Sequence, residues 1–277
     1  MFVLGDYNNL KVLRQTSIGF YLGDEEGNEV LLPKKYCPRE ATPGQSILVF
    51  LYKDQEQRWI ATTLKPLVRR NQFAYLRVKS VSTVGAFLDW GLEKDLFVPF
   101  REQTHKMQEG ERHVVYVYED PRSGRLTASA KINRYITDEA VDGPEPGQEV
   151  DVLVYGITPL GYNVIVDQTF RGLVYHDEVY RDIRIGDQLK GFVKMVRDDG
   201  RLDISLQPKG LNRLEGGAEV ILNYLKNNKG FLGLTDKSDA DDIRALLMMS
   251  KKNFKQSLGI LYKARKVELK EDGVYLL

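Results

Sequence analysis

Apolar and polar positions alternate in short runs through the first 210 residues, and the runs come in the same order three times. Around Gly19 the chain reads LKVLRQTSIGFYLGDEEGNEVLLPKKY, around Gly85 LRVKSVSTVGAFLDWGLEKDLFVPFRE, and around Gly161 VDVLVYGITPLGYNVIVDQTFRGLVYHDE. A period of two over a few residues marks a strand with one face buried. Each copy has an alternating run, a short turn, an apolar residue before glycine, a second run, a polar turn and a third run. The third runs are Val30-Leu31-Leu32-Pro33, Leu96-Phe97-Val98-Pro99 and Gly172-Leu173-Val174-Tyr175. A Gly-polar pair then opens a fourth strand (PGQSILVFLYKD, EGERHVVYVYED, IGDQLKGFVKMVRD), and a turn precedes a fifth (QRWIATTLKP, SGRLTASAK, DGRLDISLQP). The pattern predicts five strands per unit, repeated at intervals of about 70 residues.

A five-stranded unit whose first strands coil is the plan of the OB barrel. Each repeated glycine is expected at a sharp bend that serves two sheets, where a Cβ would clash. After residue 211 the period changes. Val220, Ile221, Tyr224 and Leu225 fall at helical spacing, and Gly230 ends that helix. Asp239, Asp241 and Asp242 open a second helix carrying Ile243, Leu246 and Leu247, where acids favour the positive end. A turn at Ser250 leads to a third helix with Phe254, Leu258 and Leu261 on one face, followed by a strand, an Asp-Gly turn and a strand. Three helices and a hairpin describe a winged helix. The expected class is therefore mainly β with a C-terminal α/β part. It comprises OB-type barrels over 1–66, 67–134 and 146–209, then a winged helix over 211–277.

Composition changes this picture little. With 42% apolar and 29% charged residues in 277, the chain has material for real cores. The net charge of +1 argues against a strongly basic binder overall, but not against local basic faces. Fifteen tyrosines fit either buried rings or an exposed binding face. The single cysteine, Cys37, permits no internal disulfide and fits a reducing compartment. No run approaches a membrane span, so a cytoplasmic protein is expected.

Residues 73–130 and 147–207 resemble S1-type RNA-binding domains. The shared features are the glycine with its aromatic strand, the third strand and the closing "GR-L-S" strand; the first unit is a more divergent copy. Three such units followed by this tail resemble the conserved virulence factor B (CvfB/YitL-like) family of Gram-positive bacteria. The resemblance implies a post-transcriptional role in bacterial gene expression, including virulence factors. It also implies a contact set: aromatics before the glycine and two residues after it, a His on the third strand, and a cation after the last turn. Stacking on aromatic rings binds single strands with little sequence preference. Carried over, the first unit keeps Tyr21 and Arg58, with Ile18 and Pro33 at the other places. The second keeps Phe87 and Arg125, with Val84 and Pro99. The third keeps Tyr175 and Arg201, with Leu160 and Asn163, and Tyr162 alongside. No unit has the full aromatic pair, so each is expected to bind weakly alone, with avidity from several sites on one strand. Packing of the same rings in barrel cores is the competing reading.

Lys65, Arg69 and Arg70 form a basic link between the first two units, fit for phosphate or simply solvated. The second link, ITDEAVDGPEPG, is acidic and reads as a spacer. In the tail, Lys251, Lys252, Lys255, Lys263, Arg265 and Lys266 make a candidate nucleic-acid face. Walker, H-E-x-x-H and paired-cysteine patterns are absent, the Asp-rich stretch lacks an EF-hand's central glycine and closing Glu, and His105, His113 and His176 lack ligand-like spacing. No catalysis, metal or cofactor is expected. Single-stranded RNA is the expected partner, with other proteins of RNA metabolism as further candidates. A protein-interaction scaffold and a duplex-DNA regulator are the alternatives.

Overall fold

The computed structural model describes residues 1–277 apart from 55, 140–142, 180 and 208–212; for 213–215 only the backbone is described. The predicted start of the last domain, at 211, lies outside the described residues, as do three residues of the acidic link.

The first barrel is built from β1 (Tyr7–Thr16), β2 (Gly19–Gly23), β3 (Glu29–Pro33), β4 (Ser46–Lys53) and β5 (Trp59–Thr62). It closes in the order β1-β2-β3-β5-β4, with a parallel contact of Leu31 and Ile60 sealing the β3–β5 seam. The second contains β6 (Phe73–Val81), β7 (Gly85–Asp89), β8 (Leu96–Pro99), β9 (Arg112–Glu119) and β10 (Leu126–Ser129). Its sheet runs β10-β9-β6-β7-β8, so β8 and β10 are the two edges. The third comprises β11 (Glu149–Ile157), β12 (Gly161–Val166), β13 (Phe170–Tyr175), β14 (Gln188–Val196) and β15 (Leu202–Ser205), and it closes like the first.

The long first strand of each barrel pairs with two neighbours, and in each it carries a bulge at the same place: between Val12 and Arg14, Val78 and Ser80, and Val154 and Gly156. An extra residue bends a strand and adds twist, so the coil is taken up there and not at the repeated glycine. The glycine instead begins the second strand and solves a close approach. A Cβ on Gly19, Gly85 or Gly161 would lie 2.0, 2.3 or 2.1 Å from the carbonyl oxygen of Leu32, Val98 or Val174 on the third strand. A side chain there would force the second and third strands apart.

The chain divides into two compact units, Met1–Tyr135 and Ile136–Leu277. Within the first, the two barrels share a core. Phe50 and Tyr52 point outward from β4 and are buried in the cluster that includes Leu76, Val78, Leu88 and Trp90 of the second barrel. Their rings meet the Trp90 indole edge-on at 5.8 and 6.5 Å. Burying a ring of this size contributes about 1.5–3 kcal/mol. Tyr116, Tyr118 and Tyr135 account for more of the tyrosine: Tyr135 stacks at 4.1 Å on Tyr116 and 5.8 Å from Tyr118. The basic link is tied down as well, with Arg69 paired to Asp6 at 2.8 Å and Arg70 to Glu119 at 2.9 Å. These two arginines are structural pairs, not free cations.

In the second unit, residues 136–138 do not form a free spacer. Ile136 is buried, Thr137 bridges to Phe170, and Asp138 accepts a 2.6 Å bond from Arg171. The winged helix consists of α1 (Arg213–Asn227), β16 (Phe231–Leu232), α2 (Ala240–Leu247), α3 (Lys251–Lys263), β17 (Val267–Lys270) and β18 (Gly273–Leu276). Ser250 caps α3, its hydroxyl accepting from the Asn253 amide at 3.3 Å. Ile221, Leu225, Ile243, Phe254 and Leu258 fill the core. Leu246 is exposed instead, because it lies on the outer side of α2. The two-residue β16 was not anticipated; it pairs Phe231 with Tyr275 and extends the hairpin to three strands. Among the described residues no helix is long and apolar enough to cross a membrane.

Two outcomes follow. Gly85→Ala is expected to destabilise the first unit by about 3 kcal/mol, the upper end for overpacking, as read by urea unfolding. Burial, reinforced by nearby acidic charge, pushes the Tyr52 phenol up from its ordinary 10 to about 12. The folded state therefore retains a proton that the unfolded chain releases, and stability falls as pH rises from about 10 to about 12. Tyr52→Phe is expected to reduce that alkaline loss of urea resistance.

Candidate nucleic-acid interface

The outer face of each barrel is set by the second and third strands. In the first barrel the cross-strand register lines up Arg14, Tyr21, Leu31 and Ile60. Phe20 and Leu22 point into the core, so Tyr21 points out. Its ring already carries a cation: the Arg14 guanidinium lies 4.0 Å from the ring centroid and is held there by Glu29 at 2.7 Å. Arg58 is likewise engaged. Its Nε donates to Asp54 at 2.9 Å, and its guanidinium reaches Glu56 at 2.8 Å.

In the second barrel, Ala86 and Leu88 are core residues and Phe87 faces outward. Directly opposite in the register stands Phe97 of β8, with ring centroids 5.2 Å apart. The two rings line a cleft of about 790 Å³, bounded also by Val84, Arg125 and Tyr52 of the first barrel. Arg125 has no acidic partner among the described residues. The cleft's acids are otherwise occupied: Asp54 binds Arg58 at 2.8 Å, Asp95 binds Lys79 at 3.0 Å and Glu93 binds Lys35. Asp120 lies 3.6 Å from Arg101 and accepts from the Ser123 hydroxyl. Lys53 and Lys94, also at the cleft, have no carboxylate partner among the described residues.

The third barrel presents a different surface. Tyr175 lies opposite Gly161, and its hydroxyl accepts from Arg197 at 3.0 Å. Arg197 is itself clamped to the buried Asp203 at 2.5 Å, and the Lys194 ammonium is 5.8 Å from the Tyr175 ring. Arg201 sits between Asp138 (3.6 Å) and Asp199 (3.7 Å). Tyr162 is not on this face; it packs partly against the core, edge-on to His176 at 4.7 Å. Burial raises its phenol pKa.

The residues before the three glycines behave alike. Ile18, Val84 and Leu160 are 56%, 58% and 59% exposed, so the place where the S1 pattern has its first aromatic is outward-facing and aliphatic in every barrel. Phe97, Arg197 and Lys194 were missed in the sequence. Phe97 was legible there as the outward residue of the alternating Leu96-Phe97-Val98 run; the other two required the register of β14.

On the winged helix, Lys252, Lys255 and Lys263 share the exposed side of α3 with Gly259 and Tyr262. Lys251 donates to the Lys237 carbonyl at 3.3 Å, and Arg265 and Lys266 are exposed in the turn before β17. The structure also brings together His105, Glu111 and His113 at the second barrel.

Family comparisons agree with this architecture. Residues 4–64 and 72–131 match the S1 domain, residues 140–208 match "Virulence regulatory factor CvfB, second domain", and residues 219–276 match the "CvfB-like winged helix domain". The chain belongs to the conserved virulence factor B family. Among the family's members it is 29% identical to the protein YitL of Bacillus subtilis (strain 168), over 98% of this chain and 93% of that one. It is 22% identical to Conserved virulence factor B of Staphylococcus aureus (strain N315), over 99% and 94%. A crystal structure of a multidomain protein with nucleic acid binding domains from Streptococcus pneumoniae aligns at 27% identity, covering 99% of this chain and 98% of that one, with a TM-score of 0.44. S1 and winged-helix modules are nucleic-acid-binding domain types, so this family member is built as a nucleic-acid-binding regulator.

Gly259 gives a direct test of the α3 surface. A Cβ there would meet nothing within 4 Å, so the glycine weakens the helix without serving its packing. Gly259→Ala is expected to raise stability by about 0.5–1 kcal/mol, measured by the shift in urea midpoint.

Proposed function

We propose that this protein is a cytoplasmic regulator that binds single-stranded RNA, with the second barrel as its principal site. The observation that carries this reading is the cleft in which the Phe87 and Phe97 rings stand 5.2 Å apart beside an arginine, Arg125, with no acidic partner among the described residues. Aromatic faces accept any base, and a cation at the rim holds phosphate. In the other two barrels Arg14 covers Tyr21, Asn163 stands where the second barrel has Phe87, and carboxylates hold Arg58 and Arg201. They serve as weaker, auxiliary surfaces. The lysines along α3 add cationic contact, and the protein acts by binding rather than by catalysis. Post-transcriptional control, including that of virulence genes, is the role this assembly fits.

Fluorescence anisotropy with a labelled oligoribonucleotide tests the reading. Phe87→Ala is expected to weaken binding by about 5- to 150-fold, the value of one stacked base. Arg125→Ala is expected to lower the slope of log K against log salt by about 1. Arg58→Ala and Arg201→Ala should have smaller effects. Unchanged affinity in both the Phe87 and Arg125 variants overturns the site. A preference for duplex DNA over single-stranded RNA overturns the partner.

A further inference from the structure

Two of the chain's three histidines converge at one end of the second barrel. His113 lies near the start of β9, opposite Leu76 in the register. Leu76 is a core residue, and directly paired residues share a face, so His113 points inward at the barrel's end. Its side chain is 11% exposed. Its Nε2 lies 3.0 Å from Glu111 Oε2, which also accepts from the Gln108 amide at 2.8 Å. The His105 ring comes in from the preceding loop, its centroid 5.1 Å from that of His113.

The loop is held on both sides of His105. The buried Gln103 side chain donates to the Val98 carbonyl at 3.1 Å and accepts from the Met107 amide at 3.0 Å. Met107 is buried in the core. His105 itself is exposed, with its Nδ1 3.3 Å from the Thr104 hydroxyl. One donor atom from each of His105, Glu111 and His113 lies within 4.8 Å of the others.

We propose that His105, Glu111 and His113 form a binding site for a divalent transition-metal ion of the zinc class. Two imidazole nitrogens and one carboxylate oxygen suit zinc and its neighbours better than calcium or magnesium, which take oxygen ligands. Zinc bonds of about 2.0–2.1 Å in a tetrahedron require donor atoms about 3.3 Å apart. The His113–Glu111 spacing of 3.0 Å is close to that, and a turn of the exposed His105 side chain brings in the third donor. The ion replaces the direct contact between His113 Nε2 and Glu111 Oε2. Three protein ligands leave a fourth position open to solvent. The site is separate from the RNA cleft: His113 and the Arg125 hairpin lie toward opposite ends of β9, about 20 Å apart at strand rise.

Isothermal titration of the tag-free, full-length protein with zinc chloride tests the proposal. One ion per chain is expected, with binding weakened about tenfold or more by His105→Ala and by Glu111→Gln, and unaltered by His176→Ala. Zinc should raise the melting temperature of the wild type and not that of His105→Ala. Because the His105 side chain is exposed, that variant is expected to keep the wild-type circular dichroism. Absence of saturable binding, or equal binding by the wild type and both ligand variants, overturns the proposal.

Discussion

The architecture turns on one close approach made three times: a second-strand backbone with no side chain lying against a third-strand carbonyl. At Gly19, Gly85 and Gly161 a single added carbon would overlap that oxygen. The contact locks the register between the two strands, and the register decides everything on the outer face. Two residues beyond the glycine, Tyr21, Phe87 and Asn163 are aimed outward because the glycine fixes which side of the sheet they occupy. The bulge in each first strand then supplies the twist that closing the sheet requires.

On that common frame the three barrels differ in electrostatics more than in shape. Each keeps an arginine at the closing hairpin, yet only Arg125 is without a carboxylate partner among the described residues. The near-zero net charge of the chain has a local counterpart here. Many cations are matched within a few ångströms: Arg14 with Glu29, Arg69 with Asp6, Arg197 with Asp203. The exposed pairs, Arg14–Glu29 and Arg69–Asp6, add little stability, but every such pair withdraws a cation from phosphate. The cations without a carboxylate partner among the described residues at the second barrel's cleft, Lys53, Lys94 and Arg125, set that surface apart from the paired hairpins of the other two barrels.

Much of the fold was legible in the sequence because period two, period 3.6 and the spacing of glycines are local properties. The three sets of five strands, the helices of the tail and the turn at Ser250 could be read residue by residue. What could not be read depended on neighbours distant in sequence. The Asp138 that engages Arg201 lies in a stretch that looked like a spacer. The ring of Tyr162 was expected beside Asn163 on the outer face, but alternation along β12 turns it toward the core. His105 and His113 looked dispersed because their convergence depends on how Gln103 and Met107 fold the intervening loop.

The rings of Phe50 and Tyr52 leave one barrel to complete the interior of the next. The two barrels of the first unit therefore share part of one interior. Severing the chain at the connector would leave two bare rings on one fragment and a hole beside Trp90 in the other. The repeat marks a boundary across which the core packing continues, and excising the barrel that holds the cleft would also remove part of its own foundation.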